Sequence, residues 1–376
     1  MTSPDKIEEY PLINDDGRVS LDRHKEDPHT LEAQSYSLPA LQPQRRRFRW
    51  HHILLVVSLL ACFAGAIGLL SQKAAAVDSR PKTPKNPNKI AFATLLSINP
   101  DKAKHEKDIN DDEYFVATRL LCYQLLHDPQ TRNRLGAPFI VMTTPAISQA
   151  KIDRLKKDGA TIFNITEPLV PKLYHSVNQN RYQDVWSKLL IWKWTQYERV
   201  LFIDNDMILS KPLDDLFQQP ESIVRQTLHN ASAIKADEGP LPSEYLWSPI
   251  PEIEAGHEFP LKQGQYRANY PNAGFFLLKP SLDMFQYMMS ILAVPGKFDP
   301  IYPEQNFMNY VFRQSGNMPW TMLDPKWSVH RALMNDVIKG AYSIHEKWWW
   351  RAGGGNKTHD RGDLDLPLAH WMRSWR

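Results

Sequence analysis

The stretch Arg199-Val200-Leu201-Phe202-Ile203-Asp204-Asn205-Asp206-Met207-Ile208-Leu209 constrains this chain more than any other. A run of branched and aromatic apolar residues stops abruptly at a pair of acids one residue apart. That pattern predicts a buried strand that delivers carboxylates to the carboxyl edge of a sheet. Acids at i and i+2 with a turn between them can share one hard divalent cation, and such a cation can hold a diphosphate. A second Asp-x-Asp, Asp363-Leu364-Asp365, lies in a polar, glycine-flanked tail with no strand before it and reads as a solvated turn.

The flanks of that strand define the fold class. From Lys89 onward, strand-like and helix-like segments alternate. Strands are expected at Ile90 to Ile98, Pro138 to Met142, Ala160 to Ile165, Val200 to Asp204 and Phe275 to Leu278. Helices are expected at Glu113 to Leu126, ended by Asp128-Pro129, and from Ser148 to the stop at Asp158-Gly159. Further helices are expected at Gln183 to Trp194, from the cap at Ser281 to about Leu292, and at Glu304 to Phe312. This alternation predicts an α/β nucleotide-binding architecture, a parallel sheet with helices on both faces. Residues 218–270 carry many prolines and read as long loops that wall a substrate site. No glycine-rich dinucleotide fingerprint follows the first strand, which argues against a nicotinamide or flavin cofactor.

The N-terminal part reads differently. Ile53 to Leu70 is apolar apart from Ser58, Gly65 and Gly68, close to the length of a bilayer core. Arg45, Arg46, Arg47 and Arg49 precede it and Lys73 alone follows closely, so the positive-inside rule orients the chain with its N-terminus cytosolic. The expected organisation is a disordered cytosolic tail at 1–49, a single-pass signal anchor at 50–72, a Pro-rich stem at 73–88, and a lumenal globular domain at 89–376. The short span suits an early secretory membrane, so a Golgi-type, type II membrane protein is expected. The sequons at Asn164, Asn230 and Asn356 fit a lumenal side.

Composition excludes other classes. A net charge of +3 over 376 residues, without a basic face interleaved with aromatics, gives no nucleic-acid footprint. The chain has 2 cysteines, Cys62 in the apolar segment and Cys122 in the globular part, so no disulfide framework is implied.

Four elements follow one another in a specific order. The lysine-bearing helix Tyr182-Gln183-Asp184-Val185-Trp186-Ser187-Lys188-Leu189-Leu190-Ile191-Trp192 leads into the strand and its acid pair. Leu209-Ser210-Lys211-Pro212-Leu213-Asp214-Asp215-Leu216-Phe217 comes next, then Pro271-Asn272-Ala273-Gly274-Phe275-Phe276, and finally Tyr302-Pro303-Glu304-Gln305-Asn306-Phe307-Met308-Asn309. From about Lys89 to about Trp350 the chain resembles the glycogenin-like family 8 of the retaining glycosyltransferases, in its membrane-anchored fungal and plant form.

The resemblance implies a nucleotide-diphospho-sugar transferase fold, GT-A-like, with a Rossmann-like mixed sheet. It implies a UDP-sugar donor, a glycan or glycoconjugate acceptor, and Mn2+ (or Mg2+) as cofactor. Asp204 and Asp206 match the metal-binding acids, and His345, in Ile344-His345-Glu346-Lys347-Trp348, matches the third ligand. His370 is a weaker substitute. Lys188, Asn272, Gly274, Asp204 and Asn205 fall in the donor-binding positions. Tyr114 falls where the family places an aromatic over the uracil ring, although core packing accounts for it equally well. Glu304 and Gln305 match the pair beneath the anomeric carbon, and Lys347 the cation that neutralises the leaving diphosphate. Ala273 stands where the family has Ser, Glu304 where it has Asp, and Lys347 lies two residues from His345 rather than six.

The reaction implied is hexosyl or N-acetylhexosaminyl transfer with retention, in which stabilisation of the departing diphosphate is the main catalytic contribution. The departures at Ala273, Glu304 and Lys347 define the alternative, a weakly active or inactive lumenal UDP-sugar or glycan-binding protein on the same fold. A nucleotidyltransferase or nucleotide-sugar hydrolase would share the donor site.

Overall fold

A computed structural model describes residues 89–98, 103–174 and 184–347. The expected tail at 1–49, anchor at 50–72 and stem at 73–88 lie outside the described residues. So do Tyr182, Gln183, Asn356, Asp363, Asp365, His370 and the tryptophans at 348–350, 371 and 375. Among the described residues, no helix is long and apolar enough to cross a membrane.

The architecture is mixed α/β. Strands β1 (Ile90–Leu96), β2 (Phe139–Thr143), β3 (Thr161–Asn164) and β4 (Arg199–Ile203) pair in parallel; β9 (Tyr266–Leu278) adds antiparallel to β4, and β8 (Trp247–Ile253) antiparallel to β9. The order across this sheet is β3-β2-β1-β4-β9-β8. A small sheet joins β10 (Val329–His330), β11 (Ser343–His345) and β5 (Met207–Leu209), and β6 (Arg225–Gln226) pairs with β7 (Glu244–Tyr245).

Every residue of β4 is buried. Val200 and Phe202 enter the hydrophobic core on one face of the sheet, and Leu201 and Ile203 the core on the other. A strand covered on both faces reads as a continuous apolar run rather than an alternating one, which is why the approach to Asp204 is so uniformly apolar. Helix α1 (Glu113–Leu126) and α2 (Gln149–Lys157) belong to one face, α3 (Leu282–Leu292) and α4 (Pro303–Val311) to the other. Their starts are chemically fixed. Asp112 accepts from Tyr114 N at 3.1 Å, Ser281 from Met284 N at 3.3 Å, and α4 opens on Pro303, whose missing N–H is no loss in a first turn.

Three expectations are corrected. The sheet is mixed, as the family resemblance implies, rather than all parallel as the alternation of segments predicts, because the chain returns through the β8–β9 hairpin. The segment at 184–193 is a run of 3₁₀ turns rather than an α-helix. Residues 218–270, read as loops, contain β6, β7, β8 and the first half of β9. Proline hid β8: Pro249 and Pro251 remove ladder donors, which a central strand would not tolerate, but β8 is an edge strand with register shifts beside both prolines.

Candidate functional site

The small sheet of β10, β11 and β5 explains how residues far apart in sequence meet. After Ile203 the backbone turns, with Asp204 N donating to Gly274 O at 2.7 Å, and Asp206 leads into β5. Strand β5 pairs antiparallel with β11, so His345 lies opposite Met207, and Glu346 N donates to Asp206 O at 3.1 Å. The result places His345 Nε2 3.0 Å from Asp206 Oδ1. Ligand atoms of Asp204, Asp206 and His345 all lie within 4.8 Å of one another.

This donor set fits a divalent cation. Two carboxylates and an imidazole suit Mn2+, and the backbone leaves space for them. A Cβ at Gly274 would come within 2.6 Å of His345 Cε1 and 2.8 Å of Asp204 Oδ2, so any larger residue there would force these two side chains to move. Nδ1 of His345 is buried without a hydrogen-bond partner. Burial alone would lower the imidazole pKa, but Asp206 outweighs it and raises it; the same contact holds the Asp206 carboxyl below its ordinary value despite burial. The imidazolium–carboxylate pair is the contact that a cation would replace, with release of the proton.

On the other side, Lys188 Nζ lies 3.0 Å from Asp204 Oδ1, 3.0 Å from Glu304 Oε1 and 3.3 Å from Ala273 O. Its side chain is 6% exposed. Burial disfavours the ammonium, yet the paired carboxylates raise its pKa, so it stays charged. Burial raises the Asp204 carboxyl beyond what Lys188 pulls back, with Asp206 adding to the rise.

The remaining expected residues sort as follows. Asn272 Oδ1 accepts from Gly274 N at 2.8 Å, and Gln305 Oε1 accepts from Ala273 N at 3.1 Å, so both amides are anchored beside the acids. Gly274 provides clearance for His345 and Asp204. The amide of Asn205 faces the fold instead, donating to Leu95 O at 3.2 Å and Thr118 Oγ1 at 3.1 Å. Lys347 Nζ lies 5.9 Å from the Tyr114 ring centroid, and its charge helps hold Asp206 down. Both Asn164 and Asn230 are exposed; Asn230 caps a short turn and accepts from Ser232 of its own sequon.

The structure adds residues that the sequence did not single out. Glu252 of β8 accepts from Asn272 Nδ2 at 2.8 Å and stands 3.0 Å from His330 Nδ1. The ring centroid of His330 is 5.3 Å from that of His345. Burial alone would raise Glu252, but His330 and Asn272 outweigh it and hold the carboxyl down at about 2. Glu252 was concealed in a proline-rich stretch and His330 is a lone histidine, so neither carried a motif.

Comparison with known proteins assigns the family. The model of glycosyl transferase family 8 matches residues 110–347. An uncharacterised protein of Schizosaccharomyces pombe is 28% identical over 299 residues, covering 70% of this chain and 75% of its own length. Galactinol synthase 2 of Ajuga reptans is 24% identical over 250 residues, covering 62% of this chain and 80% of its own. Among solved structures, the galactosyltransferase LgtC in complex with donor and acceptor sugar analogs is 14% identical, with a TM-score of 0.41, covering 76% of this chain and 95% of LgtC. The chain belongs to glycosyl transferase family 8 and is a glycosyltransferase with a mixed-sheet, GT-A-like fold.

Proposed function

We propose that this glycosyltransferase uses a UDP-sugar donor and a divalent cation, Mn2+ in the first instance, to transfer a hexosyl or N-acetylhexosaminyl group with retention to a hydroxyl of a glycan or glycoconjugate. The observation that carries the reading is the convergence of Asp204, Asp206 and His345 on one point, with Lys188 beside it. Asp204, Asp206 and His345 would hold the cation. When bound, the cation supplies positive charge to the diphosphate of the departing nucleotide.

The protein's own groups supply the rest. Lys188, kept charged by Asp204 and Glu304, fixes the position of Asp204 and adds positive charge beside the donor. Asn272 and Gln305, anchored through Gly274 N and Ala273 N, present amides to the sugar. Tyr114 and Lys347 lie against each other on the nucleotide side, the aromatic for the uracil and the ammonium for the diphosphate.

Retention follows a front-face path, in which the acceptor hydroxyl attacks from the side that the nucleotide leaves. Glu304 is committed to Lys188 and Gln305 is an uncharged amide, so neither is a free nucleophile for a covalent intermediate.

The arginines at 45–47 and 49 before the apolar run from Ile53 to Leu70 support a single-pass type II anchor, with residues 73–88 as stem and the catalytic domain from 89 onward in the Golgi lumen. The exposed sequons at Asn164 and Asn230 are compatible with that side.

The test is to supply the purified full chain with a panel of UDP-sugars and crude glycan acceptors, and to read the anomeric configuration of the product by NMR. A product with the donor's configuration supports the reading. An inverted product would remove the front-face path.

A further inference from the structure

Within the donor site just proposed, one carboxylate is placed by unusual backbone and belongs to no motif. Glu252 follows a register shift in the β8–β9 pairing. Pro251 pairs with Pro271, but Glu252 pairs with Arg267, so residues of β9 are skipped at this point. Irregularities of this kind re-aim a side chain, and they recur beside active sites. Here the carboxylate reaches Asn272, whose register partner is Ile250.

On its other side stands His330, with Nδ1 3.0 Å from Glu252 Oε1 in a close approach that lacks an aligned N–H···O bond. The residue after it, Arg331, has a φ of 57°, and among the described residues no other non-glycine has a positive φ. That left-handed residue turns the chain directly after His330, and such strain is retained where the surroundings over-determine it. Bulge and strained turn thus converge on one carboxylate.

We infer that Glu252 is a positioning residue for the donor sugar, because its bond to Asn272 Nδ2 fixes which end of that amide faces which partner. An amide side chain has two nearly isosteric ends. Gly274 N can be satisfied only by the oxygen of Asn272, and Glu252 only by the nitrogen. Together they leave one orientation, with one N–H and one lone pair of Asn272 still available to sugar hydroxyls. Glu252 touches no reacting atom and acts through Asn272. The inference rests on Asn272 facing the donor.

The test is a set of variants of the full chain: Glu252→Gln, Asn272→Asp, and both together. Binding of each UDP-sugar with Mn2+ is measured by calorimetry, alongside thermal unfolding and the side-chain amide signals of 15N-asparagine-labelled protein. Glu252→Gln keeps an acceptor oxygen for Asn272 Nδ2 but loses its charge, and is expected to weaken donor binding about fivefold with little change in melting temperature, and to change the Asn272 amide signal. Asn272→Asp sets two carboxylates against each other and is expected to weaken binding further. The double variant exchanges donor and acceptor across the same contact and is expected to recover part of that loss, a non-additivity that defines direct coupling.

Wild type that binds a donor, with Glu252→Gln binding it equally well, overturns the proposal and spares the transferase reading. Wild type that binds no UDP-sugar, with the Asn272 signal still sensitive to Glu252, sinks the donor reading and reduces Glu252 to a fold contact. If Glu252→Gln does not fold, the double variant decides. Folding with recovered donor binding supports positioning, and failure of both to fold makes the contact structural and overturns it.

Discussion

Nζ of Lys188 lies 3.0 Å from Oδ1 of Asp204, although the lysine comes from the 3₁₀ segment at 184–193 and the acid from the end of β4. The same ammonium holds Glu304 of α4, so one buried cation balances two carboxylates from two other elements. Removing it leaves buried acids without a counter-ion. Lys188→Met is expected to destabilise the protein by about 3–5 kcal/mol, read by urea unfolding. Glu304→Gln, which leaves the Lys188–Asp204 pair in place, is expected to lose less. Equal stability of Lys188→Met and wild type would contradict this account of the pair.

Gly274→Ala tests the clearance between β9 and β11. The new methyl would meet His345 Cε1 at 2.6 Å and Asp204 Oδ2 at 2.8 Å, and both belong to the cation-holding set. Overpacking of this kind costs about 1–3 kcal/mol. The more specific expectation is loss of metal response. Mn2+ is expected to raise the melting temperature of wild type and to leave that of Gly274→Ala nearly unchanged, as thermal scans with and without metal would show.

A third prediction concerns pH and lies away from the metal set. His257, in the turn between β8 and β9, has Nδ1 3.0 Å from Glu254 O and Nε2 3.0 Å from Asp336 Oδ2. Both partners are acceptors, so only the imidazolium satisfies both. The hydrogen bond to Asp336 accordingly raises the His257 pKa above its ordinary 6.5, against burial. A raised folded pKa contributes stability that is complete below 6.5 and is lost as pH climbs through the folded value. The urea midpoint of wild type is expected to fall across that window, and that of His257→Gln to lack the fall. A wild-type midpoint that rises there would contradict the assignment.

Cys122 offers a chemical check on the core. It lies on the buried face of α1, and burial next to Asp158 pushes its thiol up to about 12. Native protein is expected to resist alkylation at this position and to react once unfolded. Peptide mapping after labelling in buffer and in denaturant reads the difference.

How far the sequence could be read depended on where the signal was local. The strand ending at Asp204 was legible because β4 is covered on both faces and ends at a polar edge. The caps at Ser148 and Ser281 were legible because a hydroxyl before an apolar repeat has a local function. The pairing of His345 with Asp206 depends on β11 reaching β5 across more than a hundred residues, and only the family resemblance pointed to it. Strand β8 was missed because its prolines mimic loop composition, and Glu252 was missed with it. The amide of Asn205 ties the acid turn to β1 and α1 through contacts that no motif encodes.

The central claim is that Asp204, Asp206 and His345 hold the cation on which donor cleavage depends. The most direct measurement is UDP release by the purified full chain from a panel of UDP-sugars with Mn2+, repeated with EDTA and with Asp206→Asn. The account predicts release from a UDP-sugar that EDTA abolishes, that added Mn2+ restores, and that Asp206→Asn reduces at least about a hundredfold, consistent with loss of a charged stabilising group. Release that persists undiminished in EDTA and in Asp206→Asn would contradict it.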